Sequence, residues 1–154
     1  EIASVHDFIQ KYLTDDNPLY VKRTHISAKD AIALITQAGG IAVWSHPAIH
    51  FEGDYDALEN FLQELILWGI RGMEVFNPSH AEDDAEFVHG LTVQYNLLRT
   101  AGSDFHEKGV SARTNDKKHS ATHVGDYQTF GFSTDDIIPE LDRAIFARKD
   151  EARN

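Results

Sequence analysis

The chain has 154 residues, of which 42% are apolar and 25% charged, enough for one compact domain with a sizeable core. Fourteen Lys and Arg face 25 Asp and Glu, a formal net charge of -11, which repels a nucleic-acid backbone at long range and argues against duplex binding. There is no cysteine, so disulfides and thiolate zinc sites are excluded and a reducing, cytoplasmic setting is the expectation. No apolar run reaches membrane-spanning length. The first residue is Glu1 rather than Met, which reads as a trimmed N-terminus or a piece of something longer.

In chain order, residues 5–13 (VHDFIQKYL) read as a short amphipathic helix, and a brief extended stretch follows around Tyr20 and Val21. "SAKDAIALITQAGG" reads as a helix, with Ser27 and Asp30 as a capping box, Ile32 and Ile35 on one face, and Gly39-Gly40 as its stop. "IAVWS" (41–45) is then a short apolar strand of the kind buried on both faces. Asp54 caps the next helix, whose buried stripe is Leu58, Phe61, Leu62, Leu65 and Ile66 and whose end is Gly69. "GMEVF" (72–76) is the second strand. "EDDAEFVHGLTVQYN" is a helix that starts on acids and closes at Asn96, and "LLRTAGS" is the third strand. A polar loop spans about 107–126, and Ser133 with Asp136 caps a last helix through Ile145 and Phe146.

Three strand ends, at Ser45, Phe76 and Ser103, thus recur roughly 30 residues apart, the spacing that a helical crossover between parallel strands requires. The fold class is therefore α/β, parallel strands alternating with helices, in one domain over residues 1–154. In parallel sheets and α/β barrels, sites gather at the carboxyl ends of the strands. There the first strand delivers His46, the second runs through Asn77-Pro78-Ser79 to His80, and the third delivers Asp104 and His106. Imidazole and carboxylate donors converging on one rim suit a divalent metal. Asp104 and His106, at i and i+2, share one face if the backbone is extended. The other histidines lack such partners: His6, His25 and His50 read as structural, and His119 and His123 as solvent-exposed. Asp83 and Asp84 read as helix-start charges, and Trp44 and Trp68 as core.

"AGGIAVWSHP", "GIRGMEVFNPSH" and "LLRTAGSDFH" together resemble the later motifs of the PHP (polymerase and histidinol phosphatase) domain, above all the TrpH-type metal-dependent phosphoesterases, over roughly residues 6–106. That resemblance implies the C-terminal part of a distorted (β/α)7 barrel with two or three divalent metal ions (Mn, Zn, Fe or Mg) at its carboxyl rim. It implies His46, Asp104 and His106 as metal ligands, Asp104 and His106 among the catalytic residues, and His80 as a polar group near the substrate phosphate. The implied reaction is hydrolysis of phosphate esters, including nucleoside 3′,5′-bisphosphates and the 5′ ends of short RNA. The family's opening His-x-His motif and the acidic ligands that follow it are absent from this chain. The expectation is accordingly the second half of such an enzyme, inactive by itself, associating with a missing N-terminal half or with a second copy across its open side. The alternative is a degenerate, non-catalytic metal- or phosphate-binding or interaction domain.

Overall fold

A computed structural model describes residues 5–14, 17, 18, 20, 21, 24–105 and 123–151. Five helices, α1 (Val5–Tyr12), α2 (Ala28–Gln37), α3 (Tyr55–Trp68), α4 (Glu82–Gln94) and α5 (Ile137–Glu151), accompany three strands, β1 (Val43–Trp44), β2 (Gly72–Phe76) and β3 (Leu98–Ala101). The strands form one parallel sheet in the order β1-β2-β3, with α3 and α4 as the two crossovers. This is the βαβαβ arrangement that the strand spacing requires. Among the described residues no helix is long and apolar enough to cross a membrane.

Local chemistry explains where the helices begin and end. The Ser27 hydroxyl oxygen accepts the Asp30 N–H at 3.1 Å, and the Asp54 carboxylate accepts the Ala57 N–H at 3.0 Å, each satisfying an otherwise orphaned donor. Gly69 ends α3 at φ 101°, a left-handed conformation that costs glycine nothing, and Asn96 follows α4 at φ 52°. Asp84 does more than supply a helix-start charge: it accepts the Ala81 N–H and the Tyr55 hydroxyl, both at 2.9 Å, and so ties α4 to α3.

The core lies where α3 and α4 cover the sheet. Leu58, Leu62 and Leu65 of α3, Ala85, Val88 and Leu91 of α4, and Met73, Val75 and Phe76 of β2 are all buried. Close strand approach is built into β2. A Cβ on Gly72 would lie 2.9 Å from the Leu98 carbonyl oxygen and 3.1 Å from its Cβ, so only glycine lets β3 pack this tightly.

Several expectations need correction. Only β2 is buried along most of its length, Glu74 alone being half-buried; β1 and β3, the outer strands of the described sheet, are half-buried. β1 has two residues rather than five, because the chain turns into a one-turn 3-10 helix (Pro47–His50) at Pro47. Tyr20 and Val21 themselves belong to no strand, and Val21 is exposed. On α2, Ile32 is buried but Ile35 is exposed at the lip of an apolar groove beside β1. Trp44 and Trp68 are half-buried against the core rather than within it. The Asp136 side chain does not cap α5; it forms an ion pair with Arg99 of β3, anchoring the start of α5 to the sheet, while its carbonyl accepts the Glu140 N–H at 2.9 Å and the Ser133 hydroxyl oxygen accepts the Asp135 N–H at 3.2 Å.

Candidate metal centre at the strand ends

His46, Glu74, His80 and Asp104 meet at the carboxyl end of the sheet. His46 follows β1 by two residues and Asp104 follows β3 by three; both hold left-handed backbone, at φ 32° and 51°. Non-glycine residues at positive φ are uncommon and concentrate at functional positions. The His46 N–H donates to Glu74 Oε2 at 2.8 Å, and the Asn77 side-chain amide donates to the same oxygen at 3.1 Å. The other carboxylate oxygen of Glu74 occupies the space that a side chain at position 102 would take: a Cβ there would lie 2.2 Å from it, so Gly102 is what admits the carboxylate. Burial pushes the Glu74 carboxyl up, opposed by the His46 N–H, the His46 charge and Asn77, and assisted by the charge of Asp104.

A bulge in β2 shapes the second half of the site. Glu74 pairs with Thr100 and Phe76 with Ala101, leaving Val75 without a register partner. The Val75 carbonyl instead lies 2.8 Å from His80 Nδ1. A turn closed by the His80 N–H on the Asn77 carbonyl, at 3.0 Å, brings the ring back beneath the strand end. His80 is only 3% exposed. The carbonyl fixes a proton on Nδ1 and leaves Nε2 with the lone pair, the arrangement that also prepares an imidazole for metal or proton transfer. Two buried ring nitrogens at this rim, His46 Nδ1 and His80 Nε2, have no hydrogen-bond partner among the described residues. With the two carboxylates nearby they are nitrogen and oxygen donors of the chemistry that a divalent cation takes.

Among the described residues no three His, Asp or Glu side chains converge closely enough to hold an ion by themselves. His106, an expected ligand, lies outside the described residues, as do His119 and the side chain of His6. His123 is largely exposed, its ring 3.7 Å from Asp126. Sequence reasoning missed Glu74 and Asn77, although a lone acid inside the apolar strand GMEVF was the available signal. It also set His50 aside, whose ring centroid lies 5.6 Å from that of His46.

Burial pushes the His80 imidazole below its ordinary value of 6.5, against the pull of the Val75 carbonyl and the Asp84 carboxylate. As pH falls through 6.5 the unfolded chain therefore binds a proton that the folded chain refuses, so stability present above that pH is lost below it. The urea midpoint should drop between about pH 7 and about pH 5. In His80→Asn, whose amide can keep the Val75 bond, the drop should be smaller. Parallel pH curves for the two proteins would remove His80 as the cause.

No protein-family model matches the chain. It is 34% identical over 116 residues to a 3',5'-nucleoside bisphosphate phosphatase of Chromobacterium violaceum, covering 73% of this chain and 39% of that protein. It is 36% identical over 84 residues to a phosphoribosyl 1,2-cyclic phosphate 1,2-diphosphodiesterase of Eggerthella lenta, covering 54% of this chain and 30% of that protein. A solved amidohydrolase structure from C. violaceum, with bound sulfate and no metal, superposes at TM-score 0.59 and 28% identity, over 90% of this chain and 44% of that one. These likenesses support a PHP-type domain. A Bifidobacterium adolescentis protein assigned as a metal-dependent phosphoesterase shares the fold at TM-score 0.60 and 22% identity, again over 90% of this chain and 44% of that one. The chain spans between 30% and 39% of the length of the curated relatives it matches, and its three parallel βα units are consistent with part of a barrel.

Proposed function

We propose that residues 1–154 are one unit, the C-terminal portion of a divalent-metal phosphoesterase that hydrolyses small phosphorylated substrates, nucleotides or the 5′ ends of short RNA. The observation that carries this reading is the rim itself: His46 and Asp104 at left-handed positions just past parallel strands, with Glu74 between them in the sheet and two buried imidazole nitrogens left unpartnered. In this reading Asp104, His46 and His106 hold the metal. A bound divalent cation supplies an acidified water and offsets negative charge on the phosphate oxygens. Glu74 fixes the His46 peptide and so sets where the imidazole lies. His80, kept neutral by burial, presents Nε2 as an acceptor for a water or hydroxyl proton near the phosphate. The absence of cysteine fits a cytoplasmic setting, and the apolar groove between α2 and β1 suits association with the rest of a barrel or with a second copy.

The test is phosphate release from a nucleoside 3′,5′-bisphosphate by a protein that carries this chain together with the segment its longer relatives possess. Release should stop with chelator and return with Mn²⁺. Asp104→Asn, which keeps shape but removes the charge, should lower the rate by more than roughly 100-fold, the upper range for changes one shell further out. Undiminished release by that variant, or release indifferent to chelator, would overturn the metal assignment, and no release by the parent protein would leave a non-catalytic binding module.

A further inference from the structure

A second cavity lies at the opposite end of the sheet from His46 and Asp104. It has a volume of about 490 Å³ and is walled by Ile41, Arg71 and Leu98 at the N-terminal ends of the strands, by Trp68 at the end of α3, and by Arg148 of α5. That volume is in the range of small-molecule sites, roughly 300–1,000 Å³. Its charge is out of character with the molecule. In a chain of net charge -11, the described lining holds two guanidinium groups and no carboxylate.

Both arginines are rooted in rigid structure. The Arg71 N–H donates to the Ala42 carbonyl at 2.9 Å and its own carbonyl accepts the Leu98 N–H at 2.8 Å, so its backbone is held between the outer strands. Its side chain is exposed. Arg148 donates to the Thr36 carbonyl at 2.9 Å, which fixes one edge of its guanidinium at the C-terminal end of α2. Capping α2 accounts for Arg148 but not for Arg71 facing the same cavity. The Trp68 indole, packed edge-on against Phe61, adds a flat apolar wall.

The geometry points to a binding site for a small organic anion with a planar apolar body, its phosphate or carboxylate on Arg71 and Arg148 and its body against Trp68. Guanidinium pairs of this kind recognise phosphate and carboxylate through charge-assisted hydrogen bonds, and the acid-free lining avoids the repulsion that the rest of the surface imposes on an anion. This site is independent of the phosphoesterase reading: it uses none of the rim residues.

Calorimetric titration of the 154-residue chain with adenosine 5′-monophosphate, in excess chelator so that no cation bridges a nucleotide to the rim, tests the proposal. Saturable binding is expected, weakened at least tenfold in Arg71→Ala, less in Arg71→Lys, and unchanged in Asp104→Asn. Inorganic phosphate, which lacks the planar body, should compete more weakly. Arg71 is exposed, so Arg71→Ala should keep the parental urea midpoint, which is measured alongside. The proposal is overturned by the absence of saturable binding, by equal affinity in Arg71→Ala, or by loss of binding in Asp104→Asn, which would move the nucleotide to the rim.

Discussion

Leu62→Ala should lower the unfolding free energy by about 2–5 kcal/mol, a large share of the 5–15 kcal/mol that holds a typical domain together. Leu62 is fully buried and sits between Leu58 and Leu65 on the face of α3 that covers the sheet. Truncation removes apolar contact and leaves a cavity that neighbours such as Leu58, rigid in the same packed layer, fill only in part. Five residues along the same helix, Leu67 is 85% exposed. Leu67→Ala removes the same atoms from water rather than from the core and should stay within about 0.5 kcal/mol of the parent. Urea unfolding followed by circular dichroism reads both. A Leu62→Ala midpoint indistinguishable from that of Leu67→Ala would mean that α3 does not pack on the sheet as described.

The parts of this fold that the sequence disclosed are those fixed by near neighbours. Asp54, the 3.6-residue recurrence of Leu58, Leu62 and Leu65, and Gly69 together specify α3, and each acts within a few residues of itself. GMEVF, short and almost wholly apolar between glycine and a turn, specifies β2. The missed features are settled across the chain. Asp136 reads locally as a cap because Ser133 precedes it, yet the Arg99 guanidinium, 37 residues away, outcompetes that role. The bulge at Val75 leaves no trace in residue type, since Val75 is as good a strand residue as any. At the rim, His46 and Asp104 were legible because each directly follows an apolar strand. Glu74 was not, because strand periodicity treats an interior acid as an interruption rather than as a hub for a peptide 28 residues away.

That hub carries the second large effect. Glu74→Ala should cost about 1–3 kcal/mol at neutral pH, the penalty of leaving partly buried donors, the His46 N–H and the Asn77 amide, without an acceptor. Glu74→Gln should cost less, because its single amide oxygen can take the place of Oε2 and serve both donors. The two variants also separate charge from hydrogen bonding. Burial raises the Glu74 carboxyl above 4.5, so the folded chain keeps this proton at a pH where the unfolded chain has lost it. The resulting stability is complete below 4.5 and disappears as pH rises through the folded value. Glutamine has no proton to lose, so the deficit of Glu74→Gln relative to the parent should shrink as pH rises from about 4 to about 7. A deficit that grows over this interval would show that the ionised carboxylate is the stabilising form. The functional consequence rests on the phosphoesterase reading. If Glu74 sets the position of His46, a protein that also carries the segment found in the longer relatives should lose roughly 10–100-fold in metal affinity or turnover on Glu74→Ala, with partial rescue by Glu74→Gln. Equal losses in the two variants would assign the carboxylate a direct contact with the cation in place of a positioning role.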